Sequence, residues 1–139
     1  FGFVKRRYER SWARVILNRM KVRYRSLAQP VSELSGGNQQ KVLVGSRTSN
    51  PNAALLIAQE LTRGVDVGSR LEIHQQIRAL ADDGLGVLLV TSDLEEAISL
   101  CDELLVIREG KIEDQISNPS PKDQERIYGA AGGLTYGSE

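Results

Sequence analysis

One cysteine, one histidine and no apolar run of membrane-spanning length in 139 residues remove several function classes at once. Cys101 alone excludes an internal disulfide, and its apolar neighbours make it a reduced core thiol. A transmembrane helix needs about 18 consecutive apolar residues, and no stretch approaches that. The start, Phe1-Gly2-Phe3-Val4-Lys5-Arg6-Arg7, is too short and too basic for a secretory leader. There is no zinc-ligand spacing, no series of stacking aromatics and no recognition-helix unit, so nucleic acid is not an expected partner. His74 falls inside a helical stretch and reads as a surface residue rather than a proton carrier. Also absent is Gly-x-x-x-x-Gly-Lys-Ser/Thr, the loop that cradles phosphates. The only Gly-Lys, Gly110-Lys111, is followed by Ile112.

Formal net charge is zero, but the ends differ. Residues 1–30 carry nine Lys/Arg against the single acid Glu9, a net +8, and the remainder carries −8. A segment so basic is a contact for nucleic acid, anionic lipid or an acidic protein face, or the solvated face of a helix, the last favoured over nucleic acid.

Periodicity gives the elements. Residues 8–23 read as a helix with Trp12, Val15, Ile16 and Met20 on one stripe. Pro30 interrupts a connector over 28–34, and a second helix is expected over 37–49, ending before Asn50-Pro51-Asn52. Residues 54–58 form a short unbroken apolar run, as in a parallel strand covered on both faces. A helix over 70–81 with Leu71, Ile73, Ile77 and Leu80 inward follows, stopped by Asp82-Asp83-Gly84. Then come a strand over 87–90, a helix over 94–100, a strand over 104–107, a turn at Glu109-Gly110 and a strand over 111–116. A last helix over 121–128 starts at Pro121, and glycine-rich residues 129–139 read as a flexible tail. Alternation of strand and helix predicts an α/β parallel sheet, with ligands at the carboxyl ends of the strands, where Gln59-Glu60 and Thr91-Ser92 stand.

The most informative string is Leu34-Ser35-Gly36-Gly37-Asn38-Gln39-Gln40-Lys41. Ser35 suits an N-cap, and the two glycines let a large anion approach bare backbone at the positive end of a helix. Such a terminus is a ready phosphate site.

That string resembles the signature sequence of ATP-binding cassette (ABC) ATPases, in the form found in the second cassette of simple-sugar and nucleoside importers. Thr62-Arg63-Gly64-Val65-Asp66-Val67-Gly68 resembles the D-loop region of that branch, and Val87 to Ala97 its strand and switch. Asp102, Leu104-Leu105-Val106-Ile107 and Glu109-Gly110-Lys111-Ile112 resemble the closing strands. The resemblance implies the C-terminal part of a nucleotide-binding domain. The fold would be a partial P-loop NTPase (RecA-like) sheet with part of the helical subdomain: residues 1–32 a helical-subdomain remnant, 33–128 the cassette core and 129–139 the tail.

It also implies chemistry. Ser35, Gly36, Gly37 and Gln39 would contact ATP held by another nucleotide-binding domain, and Asp66 would link the two sites. Glu60 matches the glutamate that polarises the attacking water. Gln59 stands where the family has the aspartate of the Mg2+ shell, so a unit of charge is missing. Ser92 replaces the switch histidine and cannot become cationic. Leu61 replaces a proline, which predicts a looser turn. The implied cofactors are ATP and Mg2+, and the implied partners a second cassette and integral membrane permease subunits. The implied location is the cytoplasmic face of the membrane. Two alternatives are a non-catalytic module that only lends its signature, and a soluble cassette protein acting on nucleic acid or ribosomes.

Overall fold

The computed structural model describes residues 6–133. The leader reading at residues 1–5 and the tail reading at 134–139 lie outside the described residues. Contacts divide the chain into two compact units, Phe1–Leu88 and Leu89–Glu139.

In the first unit, helix α1 (Arg6–Arg19) stops four residues before the expected end. The cause is its C-terminal turn. Lys21 takes a left-handed conformation, φ 50°. The Val22 N–H then reaches back to the Leu17 carbonyl at 2.9 Å and the Lys21 N–H to that of Asn18 at 3.0 Å, a Schellman-type stop built without glycine. The buried stripe is also rotated from the expected one. Val15 and Trp12 are exposed, while Ala13, Ile16, Leu17 and Met20 face inward. A stripe at i, i+3, i+4 and i+7 fits a 3.6-residue period better than one through Val15.

A short 3-10 turn (Val31–Glu33) precedes α2 (Gly36–Thr48). Gly45 lets α1 and α2 touch: a Cβ there would lie 2.7 Å from Ile16 Cγ2 and Met20 Cγ. Strand β1 (Leu55–Gln59) leads through a tight turn to α3 (Val67–Asp82) and then β2 (Gly86–Val90). β1 and β2 pair in a two-stranded parallel sheet, the βαβ arrangement expected. Its strands are not covered on both faces, however. Leu55, Ile57, Leu88 and Val90 are about half exposed or more, so among the described residues one face of each strand stays open. Helix α3 buries Ile73, Ile77 and Leu80 as expected, but Leu71 is exposed and Gln76 takes the fourth inward place. Ile73 has no exposed surface at all.

The second unit holds α4 (Leu94–Leu100), β3 (Glu103–Arg108), β4 (Lys111–Ser117), a 3-10 turn (Pro121–Asp123) and α5 (Gln124–Gly132). β3 and β4 form an antiparallel hairpin, separate from the β1–β2 pair. Arg108 pairs with Lys111, leaving Glu109 and Gly110 as a two-residue loop with φ 51° and 77°. Positive φ at both residues is the turn that matches strand twist. Between Val106 and Ile107 the register shifts, and Glu113 is the extra residue. Leu104, Val106, Ile116 and Ile127 make a core, with Leu94, Ala97, Ile98 and Ala130 packed on it. Helix α5 takes up residues 129–132, which the sequence had assigned to a tail, because Gly129 and Ala130 pack inward. No described helix is long and apolar enough to cross a membrane.

Candidate functional site

Ser35 occupies the N-cap position of α2 in an extended conformation, φ −60° and ψ 154°. Its backbone carbonyl accepts the first helical bond, from Gln39 N–H at 2.9 Å. Its hydroxyl makes no capping bond, contrary to the N-cap expectation. Instead Ser35 Oγ accepts from Asn38 Nδ2 at 2.9 Å. The side chain therefore leaves the first-turn amides of α2 uncapped, the condition under which a helix start can receive an anion. Ser35 and Gly36 lie at the surface, and nothing stands within 4 Å of a Cβ built on Gly36.

Gly37 differs. It is buried, and a Cβ there would collide with Ser69 Cβ and Oγ and sit 3.5 Å from Val65 Cγ1. Glycine here lets the start of α2 close directly onto the start of α3. That contact joins two segments 30 residues apart, 35–39 and 65–69. Asp66 caps α3 by accepting from Ser69 N–H at 2.9 Å, and this bond holds its carboxyl below the usual carboxylate range. Ser69, in the first turn of α3, is the residue being held. Gln39 turns its side-chain amide back to the Leu34 carbonyl at 2.8 Å, so it secures the chain leading into Ser35.

Lys41 anchors α2 from below. It is almost fully buried, pairs with Glu72 of α3 and reaches the Lys21 carbonyl at 3.4 Å. Arg23 adds a second contact to Glu72 at 3.2 Å. The hydrogen bond from Lys41 and its charge hold the Glu72 carboxyl low. A buried ammonium costs solvation, and this carboxylate offsets it. The sequence showed neither this pair nor Asn38, since contacts 31 and 15 residues apart leave no periodic signal.

At the end of β1, Gln59 is exposed and Glu60 is half-buried. Glu60 has φ 49°, the left-handed region that side chains avoid. Its carbonyl accepts from Arg63 N–H at 3.2 Å, closing a turn beneath which Leu61 and Thr62 are buried. Leu61 thus ties the turn down with its side chain, against the expectation of a looser loop. Strain of this kind, on the order of 1–3 kcal/mol, persists where the surroundings over-determine a conformation. In the second unit, Ser92 is exposed between β2 and α4. Thr91 Oγ1 accepts from Asp93 N–H at 3.0 Å, and Asp93 caps α4 through Glu96 N–H at 3.1 Å. Cys101 is half-buried; desolvation, with the Asp102 and Glu96 carboxylates, pushes its thiol up and keeps it protonated.

No protein-family profile matches the chain. It is 40% identical over 138 residues to a protein named ribose import ATP-binding protein RbsA 2 of Rhizobium meliloti, covering 99% of this chain and 27% of that one. It is 44% identical over 134 residues to the protein of the same name from Rubrobacter xylanophilus, covering 96% and 25%. The chain thus spans about a quarter of the length of these relatives. Among solved structures the fold is similar to the dimeric MJ0796, a bacterial ABC transporter cassette, with TM-score 0.70 at 23% identity over 86% of this chain and 51% of that one. It is also similar to the ADP conformation of MJ1267, an ATP-binding cassette of an ABC transporter, with TM-score 0.68 at 23% identity over 94% and 48%. The ordered motifs, the cassette fold and this identity along nearly the whole chain lead to one conclusion: the chain belongs to the ABC transporter ATPases and carries part of one cassette.

Proposed function

We propose that the chain is the signature-bearing part of the second cassette of a sugar-importer ATPase, and that its Ser35-Gly36-Gly37 turn closes on ATP held by a partner cassette. The observation that carries this reading is the state of the α2 start, where Ser35 stands at the cap position without capping and lies at the surface with Gly36. Gly37, packed on Ser69, supports the turn from behind. Asp66, capping α3 beside that contact, is the residue proposed to connect the two nucleotide sites. Ribose import, named in the relatives, makes a ribose-type sugar the proposed cargo. The proposed partners are a second cassette and membrane permease subunits, at whose cytoplasmic face the chain would work.

The residues proposed to serve the chain's own nucleotide are weaker. ATP with Mg2+ supplies a transferable phosphoryl group and the charge that neutralises it. Among the described residues no cluster of three or more His, Cys, Asp or Glu side chains could hold a metal. Gln59 would bond a water of a nucleotide-borne Mg2+ without contributing charge. Glu60, turned by its left-handed backbone, would hold and polarise a water. Ser92 would offer a hydroxyl to phosphate but no positive charge. The two sites of the assembled transporter are then unequal, and this chain's signature serves the stronger one.

Steady-state ATPase of the full transporter tests this. Ser35→Arg places a bulky cation in the close contact and should lower turnover about a hundredfold, a loss in the range of a missing transition-state donor. Glu60→Gln should cost less than about fivefold, since its site already lacks charge. Equal loss in both variants would refute the inequality of the sites.

A further inference from the structure

We infer that Asn38 is a positioning residue that fixes the Ser35 hydroxyl as a hydrogen-bond donor and ties it to the end of α1. The inference rests on the reading of Ser35 as a phosphate contact. Asn38 Oδ1 accepts from the backbone N–H of Arg23 at 2.9 Å, and Asn38 Nδ2 lies 2.9 Å from Ser35 Oγ. The direction of these bonds follows from chemistry. A backbone N–H can only donate, so the amide oxygen must face Arg23. The amide nitrogen then faces Ser35, and a nitrogen bearing two hydrogens can only donate. Ser35 Oγ must accept from it. The single hydroxyl hydrogen is thereby directed away from Asn38 and remains for an acceptor outside, which at this turn is a phosphate oxygen. Without Asn38 the hydroxyl could rotate and spend its hydrogen within the protein.

The other end of the link is rigid. Arg23 follows the Schellman-type stop of α1, in which Met20, Lys21 and Val22 each donate to carbonyls of that helix at 2.9–3.0 Å. Met20 and Val22 are buried, and Arg23 contacts Glu72, the partner of Lys41. A shift of the α1 end therefore pulls on the Asn38 amide, and through it on the orientation of Ser35. The helix richest in exposed arginine acquires in this way a bonded route to the candidate phosphate contact.

The test is a double-mutant cycle in the complete transporter, reading kcat and KM for Mg-ATP. Asn38→Ala should lower kcat about tenfold with KM changed less than about twofold, because the other cassette supplies most of the nucleotide affinity. Combined with Ser35→Ala it should add nothing: the double variant should match Ser35→Ala alone within about twofold. A general loss of stability would multiply the two effects instead. Asn38→Asp keeps the shape and the bond from Arg23 but turns the donor into a second acceptor, so Ser35 would donate inward. It should be at least as slow as Asn38→Ala, and misfolding would not account for its loss. Multiplicative effects, or wild-type turnover in Asn38→Asp, would overturn the inference alone. Wild-type turnover in Ser35→Ala would overturn the reading of the phosphate contact, and the inference with it.

Discussion

Gly36 and Gly37 are adjacent, identical and unequal. A Cβ on Gly36 meets open space, while one on Gly37 meets Ser69. Sequence alone assigned both to anion access. The structure gives Gly37 a second task, close packing of α2 on α3. Gly37→Ala should therefore destabilise the chain by about 1–3 kcal/mol, the usual cost of forcing a methyl into a packed site. Gly36→Ala should be neutral within about 0.5 kcal/mol, as at most surface positions. Denaturant titration of the two variants separates these outcomes; equal midpoints would remove the packing role. Glu60 shows the reverse limit of sequence reading. Its family match was visible, but its left-handed backbone was not, because that conformation is imposed by the turn it closes.

At the scale of elements, helix existence followed from periodicity and helix ends from local hydrogen bonding. Helix α4 was read with its observed bounds, since its polar start and apolar body agree. Helix α1 was read too long, because a lysine, not a glycine, takes the left-handed stop. Helix α3 is capped by Asp66, whose carboxylate accepts from Ser69 N–H. Asp66→Ala should lower the melting temperature and Asp66→Asn should lower it much less, since asparagine also caps well. Thermal unfolding of the pair checks this. If both lose stability equally, the charge at the helix start matters more than the cap, as a dipole interaction would have it.

Across the whole molecule, acidity of the medium is the sharpest lever. Asp66, Glu72, Asp114 and Asp123 are all held below their usual values by hydrogen bonds or cationic neighbours. Asp114 receives two bonds of 2.6 Å from Arg126, joining β4 to α5. Lowered native values mean that the unfolded chain takes up protons first as pH falls. The stability these groups contribute is complete above about pH 5 and is lost as pH drops through and below about 4. The melting temperature should be flat between pH 6 and 8 at roughly constant ionic strength and fall steeply below about pH 4. Asp114→Asn should melt lower at neutral pH and show a shallower acid decline. A melting temperature independent of pH down to about 3 would contradict the assignment.

Much of this protein was determined by its sequence alone. The α/β class, the order of elements, the hairpin at Glu109-Gly110 and the signature turn are local patterns of period, turn chemistry and capping, and such patterns are written in neighbouring residues. Tertiary structure decided the rest. It set which stripe of α1 is buried, that among the described residues one face of β1 and β2 stays open, and that β3 pairs with β4 in a hairpin. It decided, too, that Gly37 meets Ser69, that Lys41 meets Glu72, and that Asn38 stands between Arg23 and Ser35. These are contacts between residues distant in the chain. Their free energy depends on geometry that exists only once the elements have packed, so no local pattern carries them.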